Sequence, residues 1–236
     1  MVMDNKLMLA FLIVILSFLS LNSLHAQETL YNVPSCDVLD SGKYYSELDI
    51  SARPNDPQFS SFVPRFVAGV GKNVEVGVNL NGNIQPGPDT TTIVTAVKWK
   101  VYDGKENGWA VAIGDNLYIP VQNKTYDFGT YAYPMVQKTF SSKTRIGFGG
   151  YFYSKGVVDP DKSWAGGQFT FEQPLSARVG LAADWFTGKQ PSAYLTAGGY
   201  YKFTANLTTY VAYSVGNINA SNGNSFFYIQ FCYNIN

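Results

Sequence analysis

Histidine is almost missing from this chain: of 236 residues only His25 carries an imidazole. It stands one residue before a plausible processing point after Ala26, so a chain cut there would hold no histidine at all. That excludes Ser–His and Asp–His acid–base machinery and any zinc site that needs an imidazole ligand. The expectation is a protein that is not an enzyme. Charge is scarce too, at 14% of residues against about 25% in ordinary soluble domains. Lys plus Arg and Asp plus Glu stand at 17 each, so no global field favours nucleic acid or an anionic surface. A phosphate-cradling glycine loop is also missing: Gly149-Gly150, Gly166-Gly167 and Gly198-Gly199 sit inside strand-like segments. There they suit barrel curvature or close packing against tyrosine rings. No cofactor or metal set is legible.

What the chain has in quantity is aromatic residues, 16% of the total, and many short alternating segments. One continuous apolar run also stands out, from Leu7 to Leu24, after Lys6 and before His25-Ala26-Gln27. This layout predicts a secretory signal peptide over residues 1–26, with a retained spanning helix as the other reading of so long a run. Residues 27–42 lack strand periodicity and contain Pro34, Asp37 and Gly42, which reads as a lead-in tail.

From residue 43 to 236 the pattern is period-two. Val74-Glu75-Val76-Gly77-Val78-Asn79-Leu80 shows it most clearly, apolar on one face and polar or small on the other. Twelve strands are predicted, over 43–51, 62–70, 73–81, 92–102, 108–117, 126–137, 144–154, 164–172, 176–186, 193–203, 207–215 and 225–235. Their connections sort by parity. Odd strands are followed by longer segments rich in Pro, Gly, Asn and Asp; even strands are followed mostly by short turns. One face gathers Leu48, Phe66, Val78, Trp99, Ile113, Phe148, Leu181, Val211 and Phe231, with almost no charge. The other gathers Glu47, Asp49, Glu75, Asp127, Glu172 and Asp184, and with them Arg65, Lys98, Lys100, Arg145, Arg178 and Lys202. An Arg or Lys at a bilayer midplane costs roughly 2–4 kcal/mol, so the charge-free face is the one expected to meet lipid. Glu47 and Asp49 share one strand face, an arrangement that suits a lumenal ion pair better than paired-carboxylate catalysis. Pro64 and Pro134 each remove a ladder donor. The phase of 126–137 puts Tyr131, Tyr133 and Met135 inside, and that of 108–117 puts only Ala110, Ala112 and Gly114 there.

The leader, the twelve-strand meander and the final alternation Phe227, Ile229, Phe231, Tyr233 resemble bacterial outer-membrane β-barrel proteins. Members usually finish on an aromatic residue, whereas this chain finishes Tyr233-Asn234-Ile235-Asn236. The resemblance implies an all-β fold, a single antiparallel up-and-down transmembrane barrel of about twelve strands in the outer membrane of a bacterial cell. It implies the lipid bilayer as a partner, and small solutes where the lumen conducts. Closure would pair the last strand with the first, so Cys36 and Cys232 would lie on one side as a disulfide or as two unpaired thiols. Three functions fit: a small passive, porin-like pore with a charge-balanced lumen; a non-conducting structural or surface-binding barrel closed by ion pairs, tyrosine rings or the tail; and a secreted soluble β protein holding an apolar ligand. Oligomeric state is left open.

Overall fold

The computed structural model describes residues 29–123, 127–217 and 225–235. The expected leader, residues 1–26, lies outside the described residues. Runs of Val, Ile, Thr, Phe and Tyr alternating with polar or small residues favour pleated, half-buried strands. They form β1 (Tyr44–Arg53), β2 (Phe59–Gly71), β3 (Val74–Asn81), β4 (Ile84–Gln85), β5 (Thr92–Asp103), β6 (Trp109–Pro120) and β7 (Gly129–Thr139). The series continues with β8 (Arg145–Tyr153), β9 (Ala165–Pro174), β10 (Val179–Phe186), β11 (Tyr194–Lys202), β12 (Leu207–Gly216) and β13 (Ser225–Ile235). β4 has two residues and only extends the edge of β2. The other twelve make the wall.

Neighbours in sequence are neighbours in space, always antiparallel, and β13 returns to pair with β1 through Tyr44–Ile235, Leu48–Phe231 and Ala52–Phe227. That pairing closes the sheet and removes both edges. Turn chemistry fixes one end. Lys72 and Asn73, with φ of 54° and 61°, join β2 to β3, the two positive φ values that let a two-residue turn follow the strands' right-handed twist. Of the two prolines expected to disturb the ladder, only Pro134 coincides with a gap. Pro64 faces outward opposite Leu48. At Pro134 the β7–β8 ladder skips from Ala132–Phe152 to Met135–Gly149 and resumes in the same register.

The two faces differ as a membrane barrel requires. Outward, Phe66, Trp99, Phe148, Leu181, Val211 and Phe231 are among many large apolar side chains left exposed. Inward, Glu47, Asp49, Glu75, Lys98, Gln168 and Gln230 are each 5% exposed or less. A soluble barrel needs the reverse, because a contiguous apolar exterior of this extent does not stay dispersed in water. The expectation of a secreted soluble protein with an apolar interior is therefore overturned. The chain is a closed, antiparallel, up-and-down transmembrane β-barrel.

Inside, Tyr131, Tyr133 and Met135 are buried on β7, as the phase of that strand requires. The small residues opposite them on β6 have a steric reason. A Cβ on Gly114 would lie 2.3 Å from the Tyr133 ring, and Ala112 leaves room for Cys36, whose Sγ approaches the carbonyls of Ala110 and Met135.

Candidate functional site

The lumen is occupied by the chain's own N-terminal segment. Residues 29–43 leave β1 at the short-turn end, enter the barrel and reach towards the long loops; Leu30, Tyr31, Val33, Cys36 and Leu39 are all buried there. At the inner tip the backbone doubles back, with Leu30 N–H donating to the Val33 carbonyl (2.9 Å) and a bridge between Thr29 and Pro34. This tight turn aims three successive amides in one direction. Tyr31, Asn32 and Val33 N–H all donate to Oδ2 of Asp184 on β10, at 3.0, 2.6 and 2.8 Å. Successive N–H groups converging on one carboxylate oxygen form an anion nest, and each bond is charge-assisted.

Further anchors follow along the segment. The Tyr228 hydroxyl donates to the Tyr31 carbonyl (3.1 Å), and the Tyr31 ring meets Tyr210 and Tyr228 edge-on at 5.8 and 5.6 Å. Cys36 N–H donates to Gln137 Oε1 (3.4 Å), Arg145 pairs with Asp37, and Leu39 N–H donates to Glu75 Oε2 (2.8 Å). Two apolar clusters in the lumen each take residues from the tail, Leu30, Tyr31 and Leu39 in one and Val33 and Cys36 in the other. Burial pushes the Tyr31 phenol well above the tyrosine range, with Asp184 and Glu172 adding to it. Burial, then the charge of Asp37, pushes the Cys36 thiol up to about 11.

The charged residues expected on the inner face are placed as follows. Glu47 and Asp49 both meet Arg65, at 2.7 and 3.4 Å, and Arg65 also donates to Thr29 of the tail (2.6 Å). Glu75 meets Lys98 at 2.7 Å with both side chains almost fully enclosed. Arg145 bridges Glu172 (3.0 Å) to Asp37. Asp184 holds the tail's amides. Lys100 lies half-buried near the short-turn end, 3.5 Å from Asp103, and Lys202 is half-buried with its ammonium over the Tyr200 ring at 5.5 Å.

Two residues of that set fall elsewhere. Asp127 is exposed in the connection before β7, and Arg178 is exposed in the turn before β10. Both strands begin later than their period suggests, at Gly129 and Val179, so neither residue is inside a strand. The pairing of Cys36 with Cys232 is also absent: both thiols are free and buried. The tail carries Cys36 across to β6 and β7, whereas Cys232 stays on β13 with its Sγ 3.8 Å from Glu47 Oε2.

Beside the tail the lumen keeps a cavity of about 100 Å³ at the long-loop end and one of about 10 Å³ near Arg145 and Glu172. The smaller has room for about one water. The tail thus fills much of the lumen between these cavities; no group of His, Cys, Asp and Glu among the described residues could hold a metal ion.

No protein-family model matches the chain, and no curated protein matches it. Solved structures resemble it loosely. An outer membrane channel from Pseudomonas putida F1 is 13% identical, with a TM-score of 0.48 over 84% of this chain and 97% of that one. Outer membrane phospholipase A from Escherichia coli is 12% identical, with a TM-score of 0.49 over 82% of this chain and 92% of that one. The translocator domain of the autotransporter NalP from Neisseria meningitidis is 12% identical, with a TM-score of 0.41 over 82% of this chain and 88% of that one. A channel, an enzyme and a translocator at such scores leave activity undecided.

Proposed function

We propose that this protein is a small outer-membrane solute pore held closed by its own N-terminal segment. The reading rests on one observation above the rest, the three tail amides on Asp184. A bond from an N–H to a charged acceptor is worth about 1.5–3 kcal/mol, so a single side-chain change at Asp184 removes a large part of what holds the tip. The other anchors, single hydrogen bonds, one ion pair, ring contacts and two apolar clusters, are spread along the segment and over many strands. Catalysis is no part of the proposal, since the chain's single histidine is His25. The second reading, a non-conducting structural barrel, is favoured by the tyrosine packing of the lumen around Tyr131, Tyr151 and Tyr153.

Planar-bilayer recordings on refolded full-length protein test this. Wild type is expected to be mostly silent, with rare openings, and Asp184→Ala to open at least tenfold more often. Steady conductance by wild type would overturn the closed reading. Silence of an Asp184→Ala protein whose tail has become accessible to solvent would favour the structural barrel.

A further inference from the structure

Between the tip of the tail and the long loops, the lining of the 100 Å³ cavity includes three asparagines that neither hold the tail nor join the ion pairs. Asn79 and Asn81 reach it from the end of β3, and Asn116 from the second half of β6. Both strand ends run into long connections, the side that faces out of the cell in such barrels. Oδ1 of all three asparagines is enclosed and accepts no hydrogen bond from any described residue. Asn79 is 4% exposed, buried to the degree at which polar atoms are ordinarily matched. Tyr131, Tyr153 and Phe186 face the same space, with the two tyrosine rings 4.9 Å apart. The charged member of the lining, Arg65, is already paired with Glu47 and Asp49.

These features specify a ligand. Three unmatched amide oxygens need donors. A guanidinium in the wall disfavours a metal ion or an ammonium as the source of attraction, and its existing ion pairs leave little for an anion. The aromatic faces, with their negative quadrupole, suit polarised C–H groups. We propose that this vestibule binds a small uncharged polyhydroxylated solute, a polyol or a monosaccharide, from the outer face. The site rests on the closed form proposed above, because Thr29, Asn32 and Pro34 of the tail line it from the lumen side.

The test is equilibrium dialysis of refolded full-length barrel in detergent against labelled glycerol, xylitol and glucose, with toluene, choline and acetate as comparison solutes. Heat-modifiable gel mobility verifies that each variant is folded. Saturable binding of at least one polyol is expected, weakened tenfold or more in Asn116→Ala and in Asn79→Ala, unchanged in Asn107→Ala at the opposite end, and lost in Asp184→Ala. Asn116 is only half-buried, so its variant remains informative where Asn79→Ala fails to fold. No saturable polyol binding, binding indifferent to Asn116→Ala, or tighter binding of a comparison solute would overturn the vestibule. Conductance of the same preparation separates the two readings. A silent barrel that binds no polyol removes the vestibule alone, whereas a steadily conducting one removes the closed form.

Discussion

The Cys36 thiol lies against the carbonyls of Ala110 and Met135, 3.8 and 3.5 Å from its sulfur, and burial raises its ionisation to about 11. An unperturbed cysteine ionises near 8.5, and the thiolate is the reactive form. A raised value means that the neutral thiol persists through pH 8–9 in the closed barrel, with thiolate appearing only as the pH nears 11. In a Cys232→Ser background, which keeps a hydroxyl donor beside Glu47, maleimide labelling of Cys36 at pH 8 is expected to be at least a hundredfold slower in the folded barrel than in denaturant. Mass spectrometry of timed samples reads this directly, and rapid labelling of the folded form would place the tail outside the lumen. Cys36 also shows where a sequence reading stops. Its neighbours in the chain put it at the mouth of the barrel near Cys232, and only the path of the tail moves it to the other wall.

At the scale of elements, the strands were legible because each has one face in lipid and one in a polar lumen, which forces strict alternation. The turn between β2 and β3 and the parity of the connections were legible for the same local reason. The starts of β7 and β10 were not, since alternation continues for a residue or two past the last ladder bond, and Asp127 and Arg178 were carried inside by it. The tail was the largest gap. Its contacts come from β2, β3, β6, β7, β8, β10, β12 and β13, most of them far from it in sequence, and no period marks a segment held by side chains from so many strands. A compositional trace existed, because Leu30, Tyr31, Val33 and Leu39 are too apolar for a solvated leader. Where the tail enters the barrel it lies against Gly69 on β2. A Cβ there would lie 2.0 Å from the Asp40 carbonyl oxygen, so Gly69→Ala must displace one backbone from the other. Gly42 N–H and the Gly69 carbonyl are bonded at 3.0 Å beside it, which leaves the strand little freedom to yield. We expect Gly69→Ala to keep a folded, heat-modifiable barrel and to speed Cys36 labelling tenfold or more. Labelling at the wild-type rate would mean that the tail is not held at this point.

For the whole molecule the decisive property is the medium around it, and depth-dependent cost is the measurement that reads it. Val211 is the fifth of ten residues in β12 and Val215 the ninth; both point outward, 55% and 47% exposed. In water the two positions are nearly equivalent, and a surface Arg at either would change stability by about 0.5 kcal/mol or less. In a bilayer they differ, since Val211 sits near the midplane and Val215 near the interface on the long-loop side. An Arg costs about 2–4 kcal/mol at the midplane and about 0–1 kcal/mol near the interface. Reversible urea unfolding from phosphatidylcholine vesicles should therefore show Val211→Arg destabilised by about 2–4 kcal/mol and Val215→Arg by no more than about 1 kcal/mol. The prediction uses the outer face alone, so it holds whether the lumen is open or closed by the tail. Equal effects at the two sites would contradict a spanning barrel. The expected gradient would place the exposed apolar exterior in hydrocarbon and the ion pairs of Glu47, Arg65, Glu75 and Lys98 in a polar interior.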